Sequence, residues 1–185
     1  MRFSGDANGV AHCQRGVRVR RIALLCALAL SGCSAPVPPL FESPEHKFRV
    51  RFGSPPAVHD KADGPYASQL FTVTSASGAY TVRAYKLSIT VERATGASAQ
   101  ILDDAKNDLV KSVGGTPTES ASVALAGKYP GRAFTATATE PKPGVLRGRV
   151  YLAGTRLYKV SVFGTPDFAN APDATAFLES FSVFE

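Results

Sequence analysis

The sequence has no cysteine after Cys33, and this absence removes several kinds of chemistry from most of the chain. The other two cysteines, Cys13 and Cys26, both precede it. Disulfide bonds, thiol nucleophiles and thiolate metal ligands all require cysteine. We therefore expect none of these three in the region that follows Cys33.

Histidine is also scarce, because only His46 and His59 follow Cys33. A Ser–His–Asp site needs a histidine that packing holds beside its nucleophile. His46 falls in a proline-rich stretch where no ordered surroundings are expected, so His59, in a predicted loop before Asp60, is the remaining candidate. No G-x-S-x-G, HExxH or glycine-rich phosphate-binding pattern accompanies it. The sequence favours a protein without catalytic, cofactor-binding or metal-binding residues, and a hydrolase using His59 and Asp60 is the alternative.

The positive charge of the chain is concentrated at its N-terminal end. The formal charge of +6 comes from 21 basic and 15 acidic residues, of which residues 1–32 hold five arginines and one aspartate. The remaining 16 basic and 14 acidic residues carry a net charge of only +2. Proteins that bind nucleic acid through charge carry a basic surface on the binding domain. We therefore do not expect nucleic acid as a partner.

The N-terminal arginines precede a short apolar run, Ile22 to Leu30. A helix that crosses a bilayer needs about 20 apolar residues, so this run is too short to span and has the length of a signal-peptide core. At its end, Leu30-Ser31-Gly32-Cys33 resembles the lipobox of bacterial lipoproteins. The resemblance implies that residues 1–32 are cleaved as a signal peptide, that Cys33 carries a thioether-linked lipid, and that its new amino group is acylated.

Lipidation of Cys33 predicts a permanent membrane anchor. Each buried methylene contributes about 0.8 kcal/mol and one acyl chain alone binds marginally, whereas a lipoprotein cysteine carries three chains. The next residue is Ser34 and not aspartate. By the sorting rule of enteric Gram-negative bacteria, the resemblance implies delivery to the outer membrane, facing the periplasm.

Residues 33–46 predict a tether between this anchor and a folded domain. Four prolines lie between Pro36 and Pro44, and such a stretch stays extended and semi-rigid. From Lys47 the pattern changes, because apolar and basic residues alternate as they do in a half-buried strand. We therefore expect a single domain over residues 47–185.

Within this domain, strand and helix patterns follow each other. Alternation predicts strands over residues 47–52, 66–75, 79–91, 118–125, 132–139, 145–153 and 156–163, and a last short strand at Val183 and Phe184. Ser77-Gly78 and Ala153-Gly154-Thr155 predict the turns of two hairpins.

Apolar residues at helical spacing predict two helices. The first runs from the N-cap candidate Ser98 to the glycines at 114 and 115, and the second starts near Pro172. Asp103 and Asp104 point about 100° apart on the first helix, which suits a solvated helix start better than a metal or acid–base site. Together these elements predict an α+β fold with one largely antiparallel sheet of about six to eight strands and two packed helices.

Three stretches, "GKYPGRAF", "LRGRVYLAGTRLYKVSVFG" and "FLESFSVFE", add a resemblance to a known fold. They resemble small bacterial lipoproteins and periplasmic proteins with the PsbP-like fold, which a photosystem extrinsic protein and a Ran-binding protein share. The resemblance covers roughly residues 47–185 and implies the fold alone, since no residue here carries over the photosystem role or Ran binding.

One group of residues predicts a partner surface. In "VLRGRVYL", Arg147, Arg149 and Tyr151 alternate with apolar residues, so they should share one face of a strand. If Arg83 and Arg132 lie on that same solvated face, a basic patch with a tyrosine results. It would meet anionic lipid, a polyanionic envelope polymer or an acidic protein, whereas ordinary solvated charges are the alternative.

The segment "KYPGR" has two interpretations as well. Pro130-Gly131 predicts a turn before the Arg132 strand. The alternative is that Tyr129 and Arg132 face a ligand together.

The sequence as a whole indicates a lipid-anchored envelope protein whose domain acts through binding or assembly and not through catalysis. The hydrolase described above is one alternative. A module that binds a small ligand between the sheet and a helix is another.

Overall fold

The computed structural model describes residues 38–63, 66–87 and 97–184, so the predicted signal peptide and the lipidated Cys33 lie outside the described residues. The described elements are β1 (Phe41–Ser43), β2 (Phe48–Val50), β3 (Ala57–Asp63), β4 (Tyr66–Thr74), β5 (Gly78–Lys86), α1 (Ala97–Ser112), β6 (Gly115–Leu125), β7 (Tyr129–Ala138), β8 (Gly144–Ala153), β9 (Arg156–Gly164), α2 (Pro166–Asn170), α3 (Pro172–Ser180) and β10 (Ser182–Val183).

A seven-stranded antiparallel sheet, called here the large sheet, forms the centre of the fold. Its strand order is β3-β4-β5-β9-β8-β7-β6. Hairpins join strands that are neighbours in sequence, and the pairing of β5 with β9 joins the two halves of the chain. The predicted hairpins are present, with Gly154 at a φ of 58° in the second turn. The α+β expectation is confirmed.

Helix α1 covers one face of the large sheet, called here the helix face. It packs on β6, β7, β8 and β9 through Leu102, Ala105 and Val110. The helix ends before Gly114, whose φ of 63° favours glycine and whose position leaves no room for a Cβ beside the Glu140 carbonyl. Ser98 lies inside the first turn of α1 and not at the predicted N-cap position.

The opposite face, called here the aromatic face, is covered by α2, α3 and a small three-stranded sheet of order β1-β2-β10. Phe48 of β2 lies at its centre and is fully buried. Its ring stacks on Phe181 at 5.7 Å between centroids and meets Phe71 edge-on at 5.0 Å. Burial of these rings fixes both ends of the described chain against the large sheet.

The end of the predicted tether belongs to the folded part. Phe41–Ser43 forms β1 and pairs with β2, although residues 33–46 were predicted to be a spacer. His46 also has fixed surroundings, contrary to the sequence-based expectation. Its ring meets Phe71 edge-on at 5.8 Å, and its carbonyl accepts a 2.7 Å hydrogen bond from the Tyr158 hydroxyl. Burial raises the pKa of Tyr158 to about 12.

The segment "KYPGR" is not a turn. Pro130 and Gly131 lie inside β7, and the chain reverses earlier, where Ala126 and Gly127 have φ angles of 51° and 66°. Gly131 is required for packing, because a Cβ there would approach the Tyr151 ring to 2.5 Å.

Gly148 in the middle of β8 has a similar explanation. It pairs with Phe134 of β7, and a Cβ at position 148 would lie 2.4 Å from the tip of that ring. The close neighbour of Gly148 is therefore a side chain of the adjacent strand. Phe134 is itself buried at 4% exposure, so it cannot move aside freely.

We predict that Gly148→Ala lowers the free energy of unfolding by about 1–3 kcal/mol, because the added methyl overpacks the Phe134 ring. Urea titration of both proteins measures the difference. Gly53→Ala is the matched control, since nothing lies within 4 Å of a Cβ there. Equal stability of the Gly148 variant and the wild type would contradict this prediction, because it would show that the Phe134 ring can move aside without lowering the free energy of unfolding.

Candidate functional site

The five residues of the predicted partner surface do not share one face. Arg83 lies opposite Lys159 in the β5–β9 register, and Arg132 lies opposite Val150 in the β7–β8 register, which places both on the helix face. Arg147, Arg149 and Tyr151 alternate with Val150 and so lie on the aromatic face. The structure therefore separates the predicted patch into two groups with the large sheet between them.

The three residues on the aromatic face are packed and not freely solvated. Arg147 donates to the Ala169 carbonyl at 3.0 Å and to the Thr175 hydroxyl at 3.1 Å. Arg149 donates to the Leu178 carbonyl at 3.3 Å. Tyr151 is 3% exposed, and its ring stacks parallel to the ring of Phe181. The expected solvated basic face is wrong for this group, because α2 and α3 cover it.

Arg132 has a partner on α1. Its Nε donates to Asp103 Oδ1 at 2.9 Å, and this hydrogen bond holds the pKa of the Asp103 carboxyl below its ordinary value. The pair therefore stabilises the fold at neutral pH, and its contribution is lost as the pH falls through the lowered pKa. Tyr129 lies three positions before Arg132 on the same strand, so the two side chains point to opposite faces and do not form the pair considered from the sequence.

His59 and Asp60 also point apart. Both lie in β3 and not in the expected loop, where His59 pairs with Leu70 and Asp60 with Gln69. Successive side chains of a strand point to opposite faces, so the imidazole and the carboxylate lie on different sides of the large sheet. The His–Asp arrangement of the hydrolase alternative is not formed by these two residues.

A groove on the helix face is the candidate functional site. It lies between α1 and the β5–β9 pair and has a volume of about 580 Å³. We call it the α1 groove, and it is lined by Leu70, Ala79, Thr81, Arg83, Asp108, Leu109, Ser112, Val113, Leu146, Lys159, Ser161 and Phe163. Arg83 is the one member of the predicted partner surface that lies in it.

The register of β5 with β9 gives the floor of the α1 groove a gradient of polarity. Three successive pairs line it: Arg83 with Lys159, Thr81 with Ser161, and Ala79 with Phe163. Successive pairs on the same face of a strand are about 7 Å apart. The distance from the two cations to the apolar pair is therefore about 14 Å. Leu146 and Val113 extend the apolar end.

Lys159 is the unusual residue of this groove. It is 7% exposed, although lysine is almost never buried without a partner. Its ammonium lies 3.3 Å from Asp108 Oδ2 and 5.1 Å from the centre of the Tyr85 ring. The Asp108 side chain is 65% exposed, so water weakens its attraction for the buried ammonium. Lys159 and Arg83 therefore place two cationic groups at one end of the groove, with Asp108 beside Lys159.

The chemistry available in the α1 groove is recognition of a negative group next to an apolar one. Among the described residues, no group of three or more histidine, cysteine or acidic side chains is placed to hold a metal ion. Sequence reasoning identified Arg83 but missed Lys159. The signal was present, since Lys159 interrupts the apolar strand "LYKVSVF", but only the β5–β9 register places it beside Arg83.

Comparison with known proteins establishes the fold. No protein-family model matches the chain, and no curated protein matches its sequence. The solved structure of cyanobacterial PsbP (CyanoP) from Synechocystis sp. PCC 6803 aligns with a TM-score of 0.53 at 10% identity, covering 85% of this chain and 99% of that one. A protein of unknown function from Pseudomonas aeruginosa, PA94, aligns with a TM-score of 0.44 at 9% identity, covering 74% and 89%. The chain has a PsbP-like fold, as its sequence pattern implied.

We predict that replacing Arg147 and Arg149 together by serine lowers the free energy of unfolding by about 1–3 kcal/mol, because carbonyls of α2 and α3 lose charged donors. Thermal and urea unfolding measure the loss. Lys142→Ser is the control, since Lys142 is exposed in the turn before β8. An unchanged stability of the double variant would mean that water replaces both arginines without cost.

Proposed function

We propose that this chain is a lipid-anchored protein of the bacterial envelope, facing the periplasm from the outer membrane, and that its PsbP-like domain is a non-catalytic binding module. The ligand class that fits the α1 groove is a small amphiphilic anion with a carboxylate or phosphate head and an apolar body. This is the small-ligand module between sheet and helix that the sequence left as an alternative, combined with the predicted anchor.

The order of the N-terminal segments supports the anchor. Basic residues, a short apolar run and the lipobox-like Leu30-Ser31-Gly32-Cys33 follow one another in the order of a lipoprotein signal. No helix among the described residues combines the length and the apolar character needed to cross a bilayer. The proposal relies on attachment to the membrane through the lipidated Cys33.

One observation carries the proposed ligand class: the cation pair at one end of the α1 groove and the apolar pair at the other. Arg83 and Lys159 stand directly opposite each other at one end of the groove. An anionic head beside them gains charge-assisted hydrogen bonds to both cationic side chains. An apolar body of the ligand covers Phe163 and its neighbours, which removes apolar surface from water.

The anchor is tested by metabolic labelling with a fatty acid. We expect Cys33→Ser to abolish incorporation of labelled palmitate and to leave an uncleaved precursor, because the thiol that receives the lipid is gone. Cys26→Ser is the matched control, since it removes a cysteine inside the apolar run and should label normally. A wild-type chain that takes up no label, or a Cys33→Ser chain that labels normally, would refute the anchor.

The groove is tested by native mass spectrometry of the full chain, released from detergent micelles after addition of laurate. We expect one laurate to be retained, because its carboxylate meets Arg83 and Lys159 while its chain lies along the apolar end. Lys159→Met keeps the length of the side chain, removes the charge and should weaken retention about tenfold.

The neutral analogue dodecanol and the exposed control Lys111→Met distinguish recognition of the carboxylate charge from non-specific binding of an apolar chain. Dodecanol should not be retained by the wild type, and Lys111→Met should retain laurate normally. Equal retention of the alcohol and the acid, or no effect of Lys159→Met, would contradict the proposed ligand class without affecting the anchor.

A further inference from the structure

A second cavity lies on the aromatic face, where the segment after β1 passes over Phe71 and Tyr158. Its volume is about 480 Å³. We call it the His46 cleft, and the charged and amide residues that line it beside His46 are Glu45, Asp60, Lys61, Gln69, Lys86 and Arg156. It is separate from the α1 groove, because the two cavities share no lining residue.

The cationic end of the His46 cleft is a second pair of like charges. Lys86 and Arg156 are directly opposite in the β5–β9 register, two positions beyond Ala84 and Tyr158, and so share the aromatic face. Like charges placed directly opposite on neighbouring strands repel each other. Within the part of the chain that the structure describes, neither cation forms a hydrogen bond or an ion pair. A ligand anion between them would relieve the repulsion, and the guanidinium of Arg156 suits a carboxylate or a phosphate.

The other end of the cleft has a mixed character. Asp60 and Lys61 of β3 line it, and Asp60 accepts a 2.9 Å hydrogen bond from the Gln69 amide. Asp60 lies on β3, three strand spacings from Arg156 on β9, which is about 14 Å. Carboxylates accept hydrogen bonds from hydroxyl groups, and the positive charge of Lys61 offsets the repulsion between Asp60 and a further acidic group of the ligand. A ligand that fills the cleft is therefore extended, anionic between Lys86 and Arg156, and rich in hydroxyl groups along its length.

We propose that the His46 cleft binds an acidic oligosaccharide. A sugar carboxylate lies between Lys86 and Arg156, and sugar hydroxyls donate to Asp60 and Glu45 and accept from the Gln69 amide. This site goes beyond the proposed function, since it uses the other face of the large sheet and a ligand without an apolar body. The same chemistry is offered by a free oligosaccharide and by the acidic sugars of a polymer.

Calorimetric titration of the full chain in a polyoxyethylene detergent, whose headgroup holds no sugar, tests this site. The probes are α-1,4-linked trigalacturonate, the galacturonate monomer, polygalacturonate and the neutral trisaccharide maltotriose. We expect trigalacturonate to bind and maltotriose not to bind. Binding should weaken with added salt, because the cations are screened over about 8 Å at physiological ionic strength. The monomer should bind at least tenfold more weakly than the trimer, since it reaches only the cationic end.

Variants identify the residues. Lys86→Met with Arg156→Met should weaken trigalacturonate at least tenfold, whereas Lys86→Arg, which keeps the charge, should bind normally. Lys159→Met in the α1 groove and the exposed control Lys111→Met should have no effect. If the double variant proves unstable on thermal melting, the affinity of Lys86→Glu for trigalacturonate is measured instead. Lys86 is exposed, so this substitution should not disturb the fold, and the reversed charge should abolish binding.

The result with the polymer distinguishes the two sources of the sugar. Binding of polygalacturonate with trimer-like affinity per site indicates a cleft open at both ends that accepts a polymer, and binding of the trimer alone indicates a free oligosaccharide. The proposal is overturned if trigalacturonate does not bind, if maltotriose binds equally well, if the monomer matches the trimer, or if the charge variants leave the affinity unchanged.

Discussion

The packing of Phe48 against Phe181 is the contact on which much of the remaining structure depends. Phe48 belongs to β2 and Phe181 follows α3, so their stacked rings fix the two ends of the described chain on the aromatic face. Tyr158 of β9 touches both rings and binds the His46 carbonyl. Because this cluster positions α3, it also places the Thr175 hydroxyl that Arg147 reaches and the Leu178 carbonyl that Arg149 reaches. The His46 cleft exists because the same cluster holds the segment after β1 across the strands.

The pairing of β5 with β9 has a second, electrostatic consequence. It sets Arg83 against Lys159 on the helix face and Lys86 against Arg156 on the aromatic face. Residues that are distant in sequence thus form two like-charge pairs on opposite sides of one pair of strands. On the helix face, Asp108 offsets part of the repulsion for Lys159. Both proposed ligands carry a negative group because a carboxylate or phosphate can form charge-assisted hydrogen bonds with the two cations of such a pair.

The likeness to CyanoP at 10% identity shows how little of the sequence this fold constrains. The alternation of apolar residues along the strands and the packing of α1 on the sheet are compatible with many side chains. The charged residues that line the two cavities are not required by that pattern. For this reason the fold transfers between the two proteins, whereas the function of this chain has to be argued from its own cavities.

The sequence alone determined the features that depend on near neighbours: the hairpins around Gly78 and Gly154, the single long helix α1, the final helix and the α+β class. Turn chemistry and periodicity act over a few residues, so they can be read in one dimension. It did not determine β1, β3, the covered face of Arg147 and Arg149, or the partners of Lys159. Those depend on which elements pack together, because an exposed and a buried strand face can carry the same alternation. Only the tertiary structure decides which face is covered, and a buried arginine or lysine then depends on the carbonyl or carboxylate that packing brings to it.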